Sequence, residues 1–223
     1  MEFQLTQTEE NYLKSIYSLE ISSSKNVSTT LLAKKMKTKA SSVTDMIKKL
    51  AEKDLVDYKK YKGVTLTKSG NTIAVKIVRK HRLWEVFLVN KLDYNWDEVH
   101  EIAEQLEHIK SHSLIDRLDK YLEFPTHDPH GDPIPDKDGN IEHHKNVMLS
   151  SIQIGDSCVV IGVKDSSTSF LNFLDNSNIR LGSTIKINSI EDFDNSMNIE
   201  SNESSFSISH QISKNLFVKK IQL

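Results

Sequence analysis

A single cysteine, Cys158, stands among the 223 residues, so no internal disulfide can form. It falls in the apolar stretch SCVVIGV, where a small buried side chain is expected rather than a reactive thiol. Proline is nearly as scarce, and all four residues of that type lie between positions 125 and 135. No apolar run approaches the roughly 18 residues of a membrane-spanning helix. The opening MEFQLTQTEENYLK has no basic segment followed by an apolar one, so a cytoplasmic protein is expected. Also missing are a glycine-rich phosphate loop, a nucleophile elbow and an HExxH pair, which removes the commonest nucleotide-dependent, acyl-transfer and zinc-protease chemistries. A chain of this length is expected to form two or three small units.

Charge is abundant but unevenly spread. The net charge of −2 hides a basic beginning, with 17 Lys and Arg against 8 Asp and Glu in residues 1–82. Residues 83–142 invert that balance, 5 against 15. A basic unit followed by an acidic one suits a polyanion partner for the first and a cation partner for the second. Solvated lysines on a small helical domain would produce the same basic excess, so charge alone does not decide.

Periodicity supplies the order of elements. Residues 7–21 read as a helix after a Thr-x-x-Glu-like start, with Tyr12, Leu13, Ile16, Tyr17 and Leu19 at helical spacing. A polar loop over 22–26 leads to a short helix, LLAKKMK, capped by Ser28 or Thr29. SSVTDMIKKLAEKDLV follows with Val43, Met46, Ile47, Leu50 and Leu55 on one face, and then two β-prone runs, VDYKK and GVTLT, flank a turn near Lys62-Gly63. Helix, short helix, turn, helix and hairpin is the order of a winged helix-turn-helix. In KASSVTDMIKK, Lys39, Ser41, Ser42, Thr44, Asp45 and Lys48 suit a helix entering a DNA groove, and Lys59, Lys60 and Lys62 of KKYKG suit a wing on phosphates. The plainer alternative is the polar face of an amphipathic helix. Further helices are expected over 69–91, 96–110 and SLIDRLDKYLEF, then a connecting loop, PTHDPHGDPIPDKDGN. From 151 onward short β-rich runs indicate a small barrel or sandwich, interrupted by a helical turn or two in LNFLDNSNIRLGS.

The chemistry-bearing residues concentrate in HEIAEQLEHIKSH, residues 100–112. At about 100° per residue, His100, Glu104, Glu107 and His108 share an arc of roughly 100° at the edge of the apolar face. Carboxylate and imidazole at i, i+3 and i+4 suit a divalent cation, and oxygen-rich ligands with imidazole suit Mn2+ or Fe2+. One such face alone is more often an ordinary Glu/His surface. His81 and Glu85 form a second i, i+4 pair on the preceding helix, and the two together favour metal. A metal-dependent hydrolase, with an open coordination position and an Asp or His of the loop as base, is the enzyme alternative. A metal-independent DNA-binding protein with a solvated acidic face is the other.

EENYLKSIY, SSVTDMIKKL, YKGVTLTKSG, RKHRLWEVFL, the Val-His-Glu-x-x-Ala-Glu-x-x-Glu-His run at 99–108 and FPTHDPHGDPIP together resemble the diphtheria-toxin-repressor-like family of metalloregulators. The resemblance covers essentially the whole chain. It implies an α+β chain divided at 1–72, 73–142 and 143–223: a winged helix-turn-helix, a helical dimerisation domain carrying two metal sites, and an SH3-like β-barrel. Members are homodimers that bind operator DNA when loaded with Fe2+ or Mn2+, commonly repressing metal-uptake genes, and they are not enzymes. Carried over, one site would use Glu104, Glu107 and His108, with Asn11 where many members have Asp or Met. The other would use His81, Glu85 and His100, helped by Asp128, His130 and Asp165. Glu104 stands where the iron-sensing branch has cysteine, which favours Mn2+. Lys14 stands where bacillary manganese regulators carry a glutamate of a paired-metal site, which argues against that geometry here.

Overall fold

The computed structural model describes residues 5–23, 26–59, 62–141, 147–202 and 204–221. Among these no helix is long and apolar enough to cross a membrane. The chain groups into two compact units, one of residues 1–81, 104–115 and 135–141, the other of 82–103, 116–134 and 142–223.

In the first unit α1 (Gln7–Ser23) begins on a reciprocal cap, with the Thr6 N–H donating to Glu9 Oε2 at 2.9 Å and the Glu9 N–H donating to Thr6 Oγ1 at 3.3 Å. α2 (Thr29–Lys35) starts from Ser28, whose hydroxyl accepts the Leu31 N–H, and α3 (Ala40–Glu52) buries Val43, Ile47 and Leu50. The hairpin β1 (Val56–Lys59) and β2 (Gly63–Leu66) is antiparallel, and Gly63 takes φ +93°, a left-handed value that favours glycine. Val27 and Val64 exchange backbone hydrogen bonds of 3.0 and 2.9 Å, so the chain entering α2 adds a bridge to the hairpin. Leu13, Ile16, Leu32, Ile47, Leu50, Leu55 and Val64 close the core beneath these elements. Helical spacing of the apolar residues thus produced the expected winged helix-turn-helix order. Lys60, expected on the wing, lies outside the described residues.

α4 (Lys68–Leu92) is continuous over 25 residues. The helix expected over 96–110 is shorter: α5 runs only from Val99 to Leu106. Its last carbonyl accepts the Ile109 N–H in a tight turn, and α6 (His112–Tyr121) starts anew. Glu107 and His108 therefore sit just past a helix end, where their backbone leaves the helical path.

In the second unit an antiparallel sheet has the order β3-β8-β4-β5-β6-β7. Its strands are β3 (Val147–Met148), β4 (Ser157–Val163), β5 (Thr184–Ile190), β6 (Met197–Ser201), β7 (Ser204–Ile208) and β8 (Leu216–Lys220). In β5, Ile185 and Ile187 are buried between exposed Thr184, Lys186 and Asn188, the period of two that packs one face. Two features were not expected: α7 (Thr168–Asn176) starts ahead of the anticipated helical turn, and α8 (His210–Ser213) follows SFSIS. Cys158 is buried, and burial, with Asp156, pushes its thiol up to about 11, which leaves it inert. β4 shifts register between Val160 and Gly162, and Val163 donates its N–H to the His130 carbonyl at 2.9 Å. That seats the proline-rich loop on the strand. Gly131, with φ +86°, would place a Cβ 2.2 Å from the Ile161 carbonyl oxygen.

Gly70 meets the first unit's core in the same manner, since a Cβ there would lie 1.9 Å from the Leu55 carbonyl oxygen. Gly70→Ala should destabilise the protein by about 1–3 kcal/mol, the usual range for overpacking. A urea midpoint equal to wild type would show that α4 shifts without strain.

Candidate metal centres and nucleic-acid interface

The first centre lies wholly in the first unit. Glu107 has no exposed surface, and its Oε2 takes two contacts of 2.7 Å, one from Lys14 Nζ on α1 and one from His81 Nδ1 on α4. Burial raises the Glu107 carboxyl, but the His81 and Lys14 interactions outweigh it and hold the group below the ordinary carboxylate range. Its other oxygen, Oε1, is buried without a hydrogen-bond partner, and so is Asn11 Oδ1. Lys14 also reaches Glu104 Oε1 at 3.4 Å. His108 Nδ1 lies 2.5 Å from Glu10 Oε2, beside a cavity of about 450 Å³ lined also by Leu5, Thr6, Gln7 and Lys110.

Two residues here escape an angle-based reading of the sequence. Glu10 sits about 100° around α1 from Asn11, which would remove it from the site. Its long side chain nevertheless reaches His108, because His108 comes off a turn rather than the helix wheel assumed for it. Lys14 matters as a partner of two acidic candidates and not merely as a missing ligand. A Glu-rich segment facing a lysine one turn from Asn11 was the available signal.

The second centre lies in the other unit. Glu85, Asp128 and His130 are buried and offer ligand atoms that all lie within 4.8 Å of one another. His100 Nδ1 is 3.4 Å from Glu85 Oε1. Asp128 Oδ1 accepts the His130 and Asp132 N–H groups at 2.8 and 3.0 Å, a turn that points its carboxylate inward. Arg82 braces the loop, donating to the Pro133 carbonyl and lying 3.5 Å from Asp128 Oδ2. His130 stacks on Trp96, and its Nε2 is 2.8 Å from the Trp96 carbonyl oxygen, which directs Nδ1 toward Glu85 Oε2 at 3.7 Å. An outer hydrogen bond on one ring nitrogen is how metal-ligating histidines are oriented. Neither Arg82, although inside RKHRLWEVFL, nor Trp96 was given a role from the sequence. Asp165 is not drawn into this trio; its Oδ1 accepts the Ser167 N–H at 2.9 Å in the turn ahead of α7. His81, four residues ahead of Glu85 on α4, is additionally paired with Glu107.

Burial, with Glu85 and Asp132, raises Asp128 to about 7 against the opposing pull of Arg82 and His130. For His130 burial lowers the pKa, but the Glu85 hydrogen bond and charge prevail and raise it to about 9. At neutral pH His130 is therefore protonated and Asp128 is partly so, and a coordinating cation has to displace those protons.

Lys39 at the N-cap of α3, and Ser41, Ser42, Asp45 and Lys48 on it, are exposed, as is Lys62 at the hairpin turn. Thr44 is half-buried, and its hydroxyl donates to the Ala40 carbonyl at 2.9 Å. The α3 residues share an exposed face opposite Val43, Ile47 and Leu50.

Residues 4–64 match the family described as "Iron dependent repressor, N-terminal DNA binding domain". Residues 67–136 match "Iron dependent repressor, metal binding and dimerisation domain", and 147–220 match the FeoA domain. The iron-dependent repressor IdeR of Mycobacterium leprae is 30% identical over 164 residues, 70% of this chain and 71% of that protein. The HTH-type transcriptional regulator MntR of Oceanobacillus iheyensis is 30% identical over 148 residues, 66% of this chain and 93% of that one. A probable metal transport system membrane protein of Chlamydia trachomatis is 43% identical over 86 residues, but the chain spans only 19% of its length. Among solved structures, a manganese-dependent transcriptional repressor in complex with manganese superposes with a TM-score of 0.85 at 35% identity, covering 96% of this chain and all of that one.

Loading of the second centre should be linked to pH. Mn2+ affinity should rise as pH increases through about 7 and on toward 9, and binding at pH 7 should release protons. Calorimetry in buffers of different ionisation enthalpy measures that release; a heat independent of buffer would exclude proton displacement.

Proposed function

The chain belongs to the diphtheria-toxin-repressor-like family of iron- and manganese-dependent regulators, and on that footing we propose that it is a DNA-binding repressor of metal homeostasis activated by Mn2+ or Fe2+. The observation that carries the reading is that two buried oxygens in the first unit, Asn11 Oδ1 and Glu107 Oε1, have no hydrogen-bond partner, with His108 Nε2 3.9 Å from the latter. Unpaired buried acceptors are unfavourable unless something compensates for them, and a cation does so. The donor set is oxygen and nitrogen with no thiolate, which fits Mn2+ and Fe2+.

In this reading Asn11, Glu104, Glu107 and His108 hold the first ion, with Glu10 orienting His108. Glu85, His100, Asp128 and His130 hold the second, with His81 one turn earlier on α4 and Asp165 at its margin. The bound ion supplies a divalent charge that α1 and the end of α5 share. Asn11 brings α1, which packs in the core of the winged helix-turn-helix, into that arrangement. An ion with higher affinity for one placement of α1 shifts the population toward it, and by linkage DNA bound to that placement tightens the ion. Lys39, Ser41, Ser42, Asp45 and Lys48, with Thr44 at the edge of their face, meet the groove, and Lys59, Lys60 and Lys62 meet phosphates. A working division at 1–72, 73–142 and 143–223, a cytoplasmic homodimer and a binding rather than a catalytic role complete the proposal.

Operator fragments selected from a random pool in the presence of Mn2+ should be bound by the metal-loaded protein and released by a chelator. Glu107→Gln preserves size and removes charge. Since losing an outer-shell partner costs about 10–100-fold in metal affinity, losing this ligand should cost at least as much, with operator binding lost in parallel. Binding that survives chelation would refute the metal-dependent reading and support the metal-independent one.

The interface has its own test. Lys59→Ala combined with Lys62→Ala should weaken binding to all sequences alike and lower the salt slope by about 0.9 for each phosphate that is no longer neutralised. An unaltered slope removes the wing from the DNA.

A further inference from the structure

Lys14 touches both Glu107 and Glu104, and it shares Glu107 Oε2 with His81. Its ammonium is 2.7 Å from Glu107 Oε2 and 3.4 Å from Glu104 Oε1, and the Lys14 side chain is only 15% exposed. By contrast, Lys35 donates to Ser18 Oγ at 2.7 Å. Asn11, with its unpartnered Oδ1, precedes Lys14 by three residues on α1, so the two side chains share a face of that helix. Metal–oxygen bonds are near 2 Å long, and ions form them with the lone pairs that the ammonium engages. Both lone pairs of Glu107 Oε2 are engaged, by Lys14 and by His81, so an ion that takes Oε2 together with the vacant Oε1 displaces one of the two, and an ion on Glu104 Oε1 meets the same lysine.

Resting on the reading of this group as a metal site, we infer that Lys14 is a tethered internal competitor that sets the metal concentration at which the site fills. Its flexible four-carbon stem allows it to leave by rotation. Until it does, Lys14 performs part of the ion's task, holding α1 to the turn that follows α5. The two ties differ in geometry: the lysine engages Glu107 and Glu104, whereas an ion can also engage Asn11 and His108. Exchange between them gives a two-state element on α1 within the first unit. An ion that binds only the lysine-released form has its apparent affinity reduced by the fraction of molecules in that form.

The test uses the full-length chain with Mn2+ alone, in an Asp128→Asn background that disables the second centre. Lys14→Met and Lys14→Gln should each tighten Mn2+ binding on the order of tenfold by calorimetry, within the usual range of coupling between sites. Lys14→Arg, which keeps the charge, should not. The metal-free thermal midpoint should fall in Lys14→Met and Lys14→Gln, and the rise in midpoint on adding Mn2+ should become larger. Lys14→Gln covers the case in which Lys14→Met fails to fold. Unchanged or weaker Mn2+ binding in the neutral variants, with Glu107→Gln abolishing it, would overturn the competitor and leave the site intact. Glu107→Gln binding Mn2+ like its parent would overturn the site itself.

Discussion

A carboxylate with no solvent exposure must be neutralised where it lies, and Glu107 makes that demand at the junction of three helices. α1 answers with Lys14 and α4 with His81, both on the same oxygen. The result is half-compensated, since Oε1 stays without a hydrogen-bond partner. Much of the polar face of α1 follows from this one group. Glu10 is held by His108, the residue next to Glu107, and Lys14 by Glu107 itself. Glu9, one position before Glu10, turns the other way, caps the helix with Thr6 and takes Lys53 of the segment after α3 at 2.6 Å. One end of α1 is thereby fastened to the segment that follows α3 and its next turn to the acidic centre.

The two centres balance their negative charge by different means. In the first a side-chain cation does it. In the second, Asp128 and His130 hold protons, Asp128 because burial disfavours its charged form and His130 because Glu85 stabilises its own. Geometry supports the contrast. The second centre is built on a loop that packs its carbonyls and N–H groups inward, with Gly131 close against β4 and Arg82 tying the Pro133 carbonyl. Four prolines in that loop restrict its alternatives, so its order comes from backbone constraint as much as from packed area.

Periodic features were legible from residues alone. The apolar spacing of α1 and α3, the Ser28 cap, the Thr6–Glu9 box and the alternation in β5 are local rules acting over a few residues. What escaped depends on distant partners or on where a helix stops. The end of α5 at Leu106 turned Glu107 and His108 off the helical path, and that is how His108 comes to meet Glu10. Arg82, although inside RKHRLWEVFL, and Trp96 act through carbonyl groups that side-chain patterns do not reveal. α8, a single turn, is too short for periodicity to register.

The antiparallel bridge between Val27 and Val64 has a consequence for how such a domain can evolve. Backbone groups join the hairpin to the chain that enters α2, and α2 and α3 share one apolar core with Val27 and Val64. The separation between the hairpin strands and α3 is therefore set by main-chain hydrogen bonds and buried aliphatic groups. Surface lysines and serines on either element contribute nothing to that separation. On the proposed reading of α3 and the hairpin as the DNA contact, drift at those exposed positions retunes how tightly a duplex is held and which base edges are favoured, while the length of duplex spanned by one copy stays constant.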